Sequence, residues 1–287
     1  MRIFGILFMS ILLLNSCEKN PIKSQPEEEG PSAKTDTVIV NLAYGSATDQ
    51  KLDLHLPANR DANSKLIILI HGGGWSAGNK QELHFLAKRL KNKNFVVANI
   101  NYRLSTPQNP DNYKMQLDDI GSVLSYLKTK SLIYTYGIKE IYIAGHSAGA
   151  HLSLSYSYSR NADRTIKAAA GLASPTNLYT LSYYNAALVD QLLIPYLGGE
   201  REVIKQRYLD CSPYYQVKNA SIPTILFSGE FDPITPVSQS ESLISVLSTS
   251  NVPNKLVRYT LAAHDWWNTP LYFDNAIDEI TAWFRKY

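Results

Sequence analysis

Cysteine is nearly absent: Cys17 and Cys211 are the two in 287 residues, so no disulfide framework braces the fold. A surplus of charge of one sign is also missing. The 28 Lys and Arg set against 25 Asp and Glu leave a net charge of +3. That is too little to argue for a nucleic-acid partner or an acidic membrane surface, and no basic cluster with interleaved aromatics occurs. There is no internal repeat, and no apolar run reaches the roughly 20 residues that a bilayer crossing needs. What remains is a globular composition, 45% hydrophobic and 18% charged. The length suits one large domain, or one domain with an appended cap. Tyrosine is plentiful at 19. Half-buried rings in a large domain explain that more simply than an aromatic surface for sugars or phenolics.

The amino terminus has its own logic. Met1-Arg2 is followed by an apolar run from Ile3 to Leu14, interrupted by Gly5 and Ser10. It fits the hydrophobic region of an export signal. The run closes on Leu14-Asn15-Ser16-Cys17, which resembles the lipobox of bacterial lipoproteins. The resemblance implies lipidation of Cys17 (residues 1–17 being leader and lipobox) and anchoring to a bacterial membrane, facing the periplasm or the cell surface. A soluble secreted protein cleaved nearby is the alternative. With Cys17 lipidated, Cys211 has no partner and reads as a small buried hydrophobe. Residues 18–35 hold Pro21, Pro26, Pro31 and the run Glu27-Glu28-Glu29. Such a segment buries too little apolar surface to offset its ordering entropy and reads as a flexible tether.

The folded domain is expected over residues 36–287. Val38 to Val40 reads as a strand, and Leu52, Leu54 and Leu56 alternate with Asp53 and His55 as a half-buried partner. His55 falls on the polar side of that alternation, which predicts a solvated side chain. Leu66 to Ile70 is a continuous apolar run, the mark of a strand buried on both faces. Asn79 and Glu82 form a capping-box signature opening a helix to about Asn92. Further strands are expected at Phe95–Ile100, Ile141–Ala144, Ala168–Leu172, Pro223–Ser228 and Lys255–Thr260, with helices near 112–130, 150–158, 238–249 and 271–286. Alternating strands and helices imply right-handed crossovers and a mostly parallel sheet with helices on both faces. Residues 176–215, with weak periodicity, Pro195, Pro213 and Gly198-Gly199, read as a helical cap excursion.

The stretch Ile141 to Ala150 organises the chemistry. It runs strand, then Gly145-His146-Ser147-Ala148-Gly149, then helix formers: a nucleophile elbow, which lifts a serine Oγ above the end of a parallel sheet. Serine needs an imidazole to take its proton, and the imidazole needs a carboxylate to hold its tautomer. In an elbow fold both follow the serine, acid first. His151 lies one helical turn beyond Ser147 and suits packing. His264, after the last expected strand, is the base. Asp232, after the preceding strand, is the acid, in preference to Glu230, Asp210, Asp118 and Asp119. Asp265 adjoins His264 and cannot readily face its imidazole. Attack on an ester carbonyl creates an oxyanion that needs preorganised N–H donors. Ala148 N–H is one; Gly73 and Gly74 supply the others from His71-Gly72-Gly73-Gly74, which matches the oxyanion loop of lipases and esterases. His71 reads as orienting that loop, and His146 as packing on the core.

These motifs make the chain similar to α/β-hydrolases of the esterase and lipase superfamily. His71-Gly72-Gly73-Gly74-Trp75, Tyr44-Gly45, Leu52-Asp53-Leu54, Tyr102-Arg103-Leu104 and Ser212-Pro213 resemble hormone-sensitive-lipase-like carboxylesterases and bacterial feruloyl and acetyl xylan esterases. The likeness runs from about Val38 to Tyr287 and implies the same triad, Ser147, Asp232 and His264. Ala262-Ala263-His264 departs from it, standing where a glycine-bearing approach is expected. The resemblance implies a serine esterase acting without metal or cofactor on a small-molecule or oligosaccharide ester, with acetyl or feruloyl groups on plant polysaccharide foremost. Related sequences include small-ester carboxylesterases, arylformamidases and peptidases, and a non-catalytic binding protein on the same scaffold is the reading of another class. Trp75, Trp266 and Trp267 lie beside catalytic segments, which suits lining of the substrate pocket and equally packing in the core.

Overall fold

The computed structural model describes residues 30–109, 112–181, 186–266 and 269–287. The leader and lipobox reading of residues 1–17, with Cys17, and residues 18–29 of the expected tether lie outside them. The sheet has eight strands: β1 (Thr37–Ala43), β2 (Lys51–Leu56), β3 (Leu66–Ile70), β4 (Val96–Ile100), β5 (Ile141–His146), β6 (Ile166–Leu172), β7 (Thr224–Gly229) and β8 (Asn254–Tyr259). Their order across the sheet is β1-β2-β4-β3-β5-β6-β7-β8. β1 pairs antiparallel with β2, and β2 with β4. Every other pairing, from β4 through β3 to β8, is parallel.

Helices α1 (His84–Asn92), α2 (Asn112–Tyr134), α3 (Ala148–Ser159), α8 (Val237–Thr249) and α9 (Pro270–Lys286) cover the sheet, and α4 (Leu178–Leu181), α5 (Ala186–Leu197), α6 (Lys205–Asp210) and α7 (Pro213–Gln216) lie between β6 and β7. The two-residue side-chain period of a strand divides the core. Leu66, Ile68 and Ile70 pack with Leu117 of α2 and Leu152 of α3. Ile67 and Leu69 pack with Leu90 of α1 and Ile277 of α9. A run that is apolar at every position, such as β3, is therefore what a strand between two helical layers requires.

Three sequence expectations shift. β2 is buried from Leu52 to Leu56, because β1 and β4 flank it and α1 packs across it. His55 is accordingly 0% exposed rather than solvated, and its ring lies 5.4 Å from that of His84. Asp53 is likewise buried, ion-paired with buried Lys80 at 3.0 Å. The capping box on Asn79 and Glu82 is present, but it opens a 3-10 turn, Lys80–Leu83, that leads into α1. The domain's own contacts also begin before Asp36. The Arg60 guanidinium donates to the carbonyls of Pro31 (2.7 Å), Thr35 (2.9 Å) and Tyr134 (2.7 Å), so Pro31 to Thr35 are held against the fold.

Candidate active site

In a parallel sheet the chain must turn at the carboxyl end of each strand, so residues placed there by different strands meet at one edge. Ser147 follows β5, Asp232 follows β7 and His264 follows β8. Ser147 takes φ 51° and ψ −119°, a region that non-glycine residues rarely adopt. Its N–H donates to the Leu172 carbonyl of β6 at 2.8 Å. The flanking glycines make the turn possible. A Cβ on Gly145 would lie 2.4 Å from the Gly149 carbonyl, and one on Gly149 would lie 2.2 Å from the Ile70 carbonyl oxygen of β3. The elbow is thus wedged between its own helix and the neighbouring strand.

The three side chains form one hydrogen-bonded chain. His264 Nε2 lies 3.0 Å from Ser147 Oγ, and His264 Nδ1 lies 2.7 Å from Asp232 Oδ2. Asp232 Oδ1 accepts from the N–H groups of Ile234 and Thr235, both at 2.8 Å. Asp232 Oδ2 also accepts from the Thr235 hydroxyl at 2.6 Å. Burial pushes the Asp232 carboxyl up; the hydrogen bond and charge of His264 and the two bonds from Thr235 outweigh it and hold the carboxyl below its ordinary range. An ionised acid acceptor at Nδ1 fixes the tautomer with Nδ1–H and leaves the Nε2 lone pair for the serine proton.

The loop after β3 supplies the opposite wall. Gly73, Gly74 and Trp75 are all left-handed, at φ 100°, 57° and 62°. A Cβ on Gly73 would meet the Ala77 carbonyl oxygen at 2.2 Å, so only glycine closes this turn. His71 orients the loop: its Nδ1 lies 2.8 Å from the Gly72 carbonyl oxygen, and its ring stacks on Tyr102 at 4.4 Å. Burial lowers His71 to about 4. His146 is also lowered well below its ordinary value, by burial and then by the facing His264 and His71. Both stay neutral near pH 7 beside the triad. Ala148, the first residue of α3, is buried behind Ser147, where its N–H belongs to the positive end of a helix.

A cavity of about 360 Å³ opens onto Ser147 and His264 and is bordered by Gly73 and Gly74. Its far wall is apolar: Leu181, Val189, Leu192 and Leu193 from the excursion between β6 and β7, and Ile234. Glu82 and Asp265 border it as carboxylates, and among the described residues no Lys or Arg lines it.

The tryptophans divide between the pocket and the core-packing alternative. Trp75 borders the cavity but is 2% exposed, stacked on Tyr196 at 4.5 Å with Nε1 donating to His151 Nδ1 at 3.2 Å. Its left-handed backbone leads the ring into the core behind the loop. Trp266 is 2% exposed and packs on Tyr259 at 4.6 Å in the layer of α1 and α9. It borders a separate cavity with Leu83 and Phe273, so it does not line the site. Trp267 lies outside the described residues. His151 packs as expected, with Nε2 at 2.8 Å from the carbonyl oxygen of buried Cys211. Asp119, a weighed acid, is 0% exposed and paired with Arg103, and Asp118 pairs with Arg160 on the surface. Sequence reasoning missed Thr235, whose signal was available: an Asp followed at the third position by Thr in a proline-flanked turn is a side-chain-capped turn. It also missed Leu192, which nothing in a weakly periodic segment marks.

The chain is 26% identical to the isoprenylcysteine alpha-carbonyl methylesterase of Arabidopsis thaliana over 250 residues, 78% of this chain and 56% of that protein. It is 34% identical to the kynurenine formamidase of Salmo salar over 115 residues, 40% of this chain and 37% of that one. The chain thus spans about half, or less, of the curated relatives it matches. A truncated carbohydrate esterase from gut microbiota superposes with a TM-score of 0.76 at 20% identity, covering 90% of this chain and 100% of that one. Thermogutta terrifontis esterase 2 phosphoramylated by tabun gives 0.69 at 19% identity, over 89% and 96%. These superpositions show the α/β-hydrolase fold. The BD-FAE family model matches residues 52–247, from β2 through the elbow and Asp232 into α8, and the chain belongs to that family of α/β-hydrolase esterases.

Proposed function

We propose that the protein is a serine esterase that cleaves uncharged carboxylic esters through an acyl-enzyme, with acetyl or feruloyl esters on plant polysaccharide or oligosaccharide as its substrate class. One observation carries the chemistry: Ser147, His264 and Asp232 are joined by contacts of 3.0 and 2.7 Å at the edge of a cavity. His264 Nε2 takes the Ser147 proton as Oγ attacks the acyl carbon. The N–H groups of Gly73, Gly74 and Ala148 hold the oxyanion. The imidazolium returns the proton to the leaving alkoxide, and water, deprotonated by the same imidazole, releases the acid.

The apolar wall of Leu181, Val189, Leu192, Leu193 and Ile234 supports a neutral acyl group, since a charge placed there loses its hydration without compensation. The carbohydrate esterase among the structural neighbours and the export signal read at the amino terminus support a polymer substrate outside the cell. In this reading Cys17 carries the lipid that holds the domain at the membrane; mass spectrometry finding an unlipidated mature terminus beyond residue 17 would exclude it. An arylformamidase is the second reading, favoured by the 34% identity to a formamidase over 115 residues. The test is acetate and ferulate release from acetylated xylo-oligosaccharides and feruloylated arabinoxylan, with Ser147→Ala alongside. Release that vanishes in the variant is expected. Activity near wild type in Ser147→Ala refutes the serine mechanism, and cleavage of p-nitrophenyl acetate without polymer release moves the substrate to small esters or formamides. Labelling of Ser147 by an organophosphate separates either enzyme from a binding protein, because it requires a working base.

A further inference from the structure

We infer that Thr235 is a positioning residue of the triad, acting through Asp232 to set how strongly His264 binds a proton; this rests on the esterase reading above. The geometry is specific. Asp232 Oδ1 is taken by two backbone N–H groups, from Ile234 and Thr235. Oδ2 is shared by two side chains, His264 Nδ1 at 2.7 Å and the Thr235 hydroxyl at 2.6 Å. The same hydroxyl oxygen lies 3.3 Å from His264 Nδ1. Thr235 therefore donates to the oxygen that receives the imidazole N–H and offers a lone pair beside that N–H, so one residue contacts both the carboxylate and the ring. Both Asp232 and Thr235 are buried, at 5% and 2% exposed, so water does not replace the hydroxyl readily.

The chemical consequence has a sign. A second donor on Oδ2 draws charge away from the oxygen that stabilises the imidazolium. Removing it leaves Oδ2 to His264 alone, which favours the protonated ring and moves the acid limb of kcat/KM to higher pH. The other groups facing His264 do not mimic this. His146, at 5.0 Å between ring centroids, is neutral through burial, His71 is neutral behind it, and Asp265 and Glu82 sit at the cavity border. Turnover falls as well, because the ring loses one of the two contacts that hold its tautomer.

The experiment compares Thr235→Val, which keeps the volume, with Thr235→Ser, which keeps the hydroxyl, on p-nitrophenyl acetate between pH 5 and 9. Thr235→Val is expected to lower kcat about tenfold, the cost of one hydrogen bond to a charged group, with KM unchanged and the acid limb raised by about half a pH unit or more. Thr235→Ser is expected to restore both. The same Val substitution made in Asp232→Asn is expected to move the profile no further. A Thr235→Val enzyme with the wild-type profile, or an equal shift in the Asp232→Asn background, overturns the inference. An active Ser147→Ala enzyme would instead overturn the esterase reading beneath it, so the two failures are distinguishable. Circular dichroism and the melting temperature of each variant confirm that folded enzyme is compared.

Discussion

Acidification from pH 7 to pH 5 is expected to remove roughly 6 kcal/mol of the protein's stability, and the cause is a set of histidines buried as neutral rings. His55, His71 and His151 are 0 to 1% exposed, and burial lowers each from 6.5 to about 4. His146 is lowered as well for the same reason, with His264 and His71 adding repulsion. The folded-state values lie below the unfolded ones, so the unfolded chain binds more protons. Their contribution is complete above the unfolded value and is lost as pH falls from 6.5 towards 4. Each group then costs about 2 kcal/mol between pH 7 and pH 5, or roughly 6 kcal/mol for the three with defined values. A domain holds about 5–15 kcal/mol in all. Asp232, whose carboxyl is held below 3.8, contributes its own loss only at lower pH and leaves this window clean. Urea titrations followed by circular dichroism at pH 7, 6 and 5 read the effect directly. His55→Leu isolates one term: neither ring nitrogen has a hydrogen-bond partner, so the variant is expected to lose about 2 kcal/mol less than wild type over the same interval. Equal denaturation midpoints at pH 7 and pH 5, or an unchanged loss in His55→Leu, would refute the reasoning.

Two further outcomes follow from the site. Gly73→Ala places a Cβ 2.2 Å from the Ala77 carbonyl oxygen at a φ of 100°, so the loop after β3 must shift; under the proposed mechanism kcat on p-nitrophenyl acetate is expected to fall about 10²–10³-fold, and a variant within twofold of wild type would remove Gly73 from the proposed oxyanion hole. Mono-p-nitrophenyl succinate, which carries a carboxylate where p-nitrophenyl butyrate carries a methyl, is expected to show a kcat/KM at least about tenfold lower, because the cavity wall is leucine, valine and isoleucine with carboxylates at its border; equal values would show that the acyl group does not enter that wall.

The parts of the molecule that sequence reasoning reached are those where backbone geometry forces residue type. The elbow needs glycine at 145 and 149 because backbone atoms of α3 and β3 occupy the Cβ positions, and that requirement is visible as a motif. Continuous apolar runs at β3 and β5 betray strands covered on both faces. His55 was misread for a related reason: alternation reports the polarity of side chains, and α1 covers the face that alternation assigns to solvent. Trp266 illustrates a second limit. Proximity in sequence to His264 says nothing about rotamer, and its indole turns into the core beside Phe227 and Tyr259. The apolar wall from α5 was illegible because Leu192 and Leu193 border the cavity from a helix whose pattern carries little amphipathic signal.

The departure at Ala262-Ala263-His264 shows how the site tolerates sequences that do not announce it. Left-handed backbone recurs just past the strand ends along this edge of the sheet: Trp75 after β3, Ser147 after β5, Ala173 after β6 and Leu261 after β8, at φ 62°, 51°, 50° and 61°. None is glycine, and each such residue costs about 1–3 kcal/mol. The neighbouring chain supplies the compensation. Ser147 N–H donates to Leu172, Ala173 N–H to Phe227, and Phe231 N–H to Ala262, at 2.8, 2.8 and 2.9 Å. The Trp75 carbonyl accepts from Ser105 N–H and Gln116 Nε2, each at 2.8 Å. Each strained turn is therefore tied to an adjacent strand or loop, and the turns brace one another across the sheet edge. A turn held in this way does not need glycine to adopt the conformation. That is why Leu261 can occupy the left-handed position on the approach to His264 while the contacts of His264 with Ser147 and Asp232 stay at 3.0 and 2.7 Å.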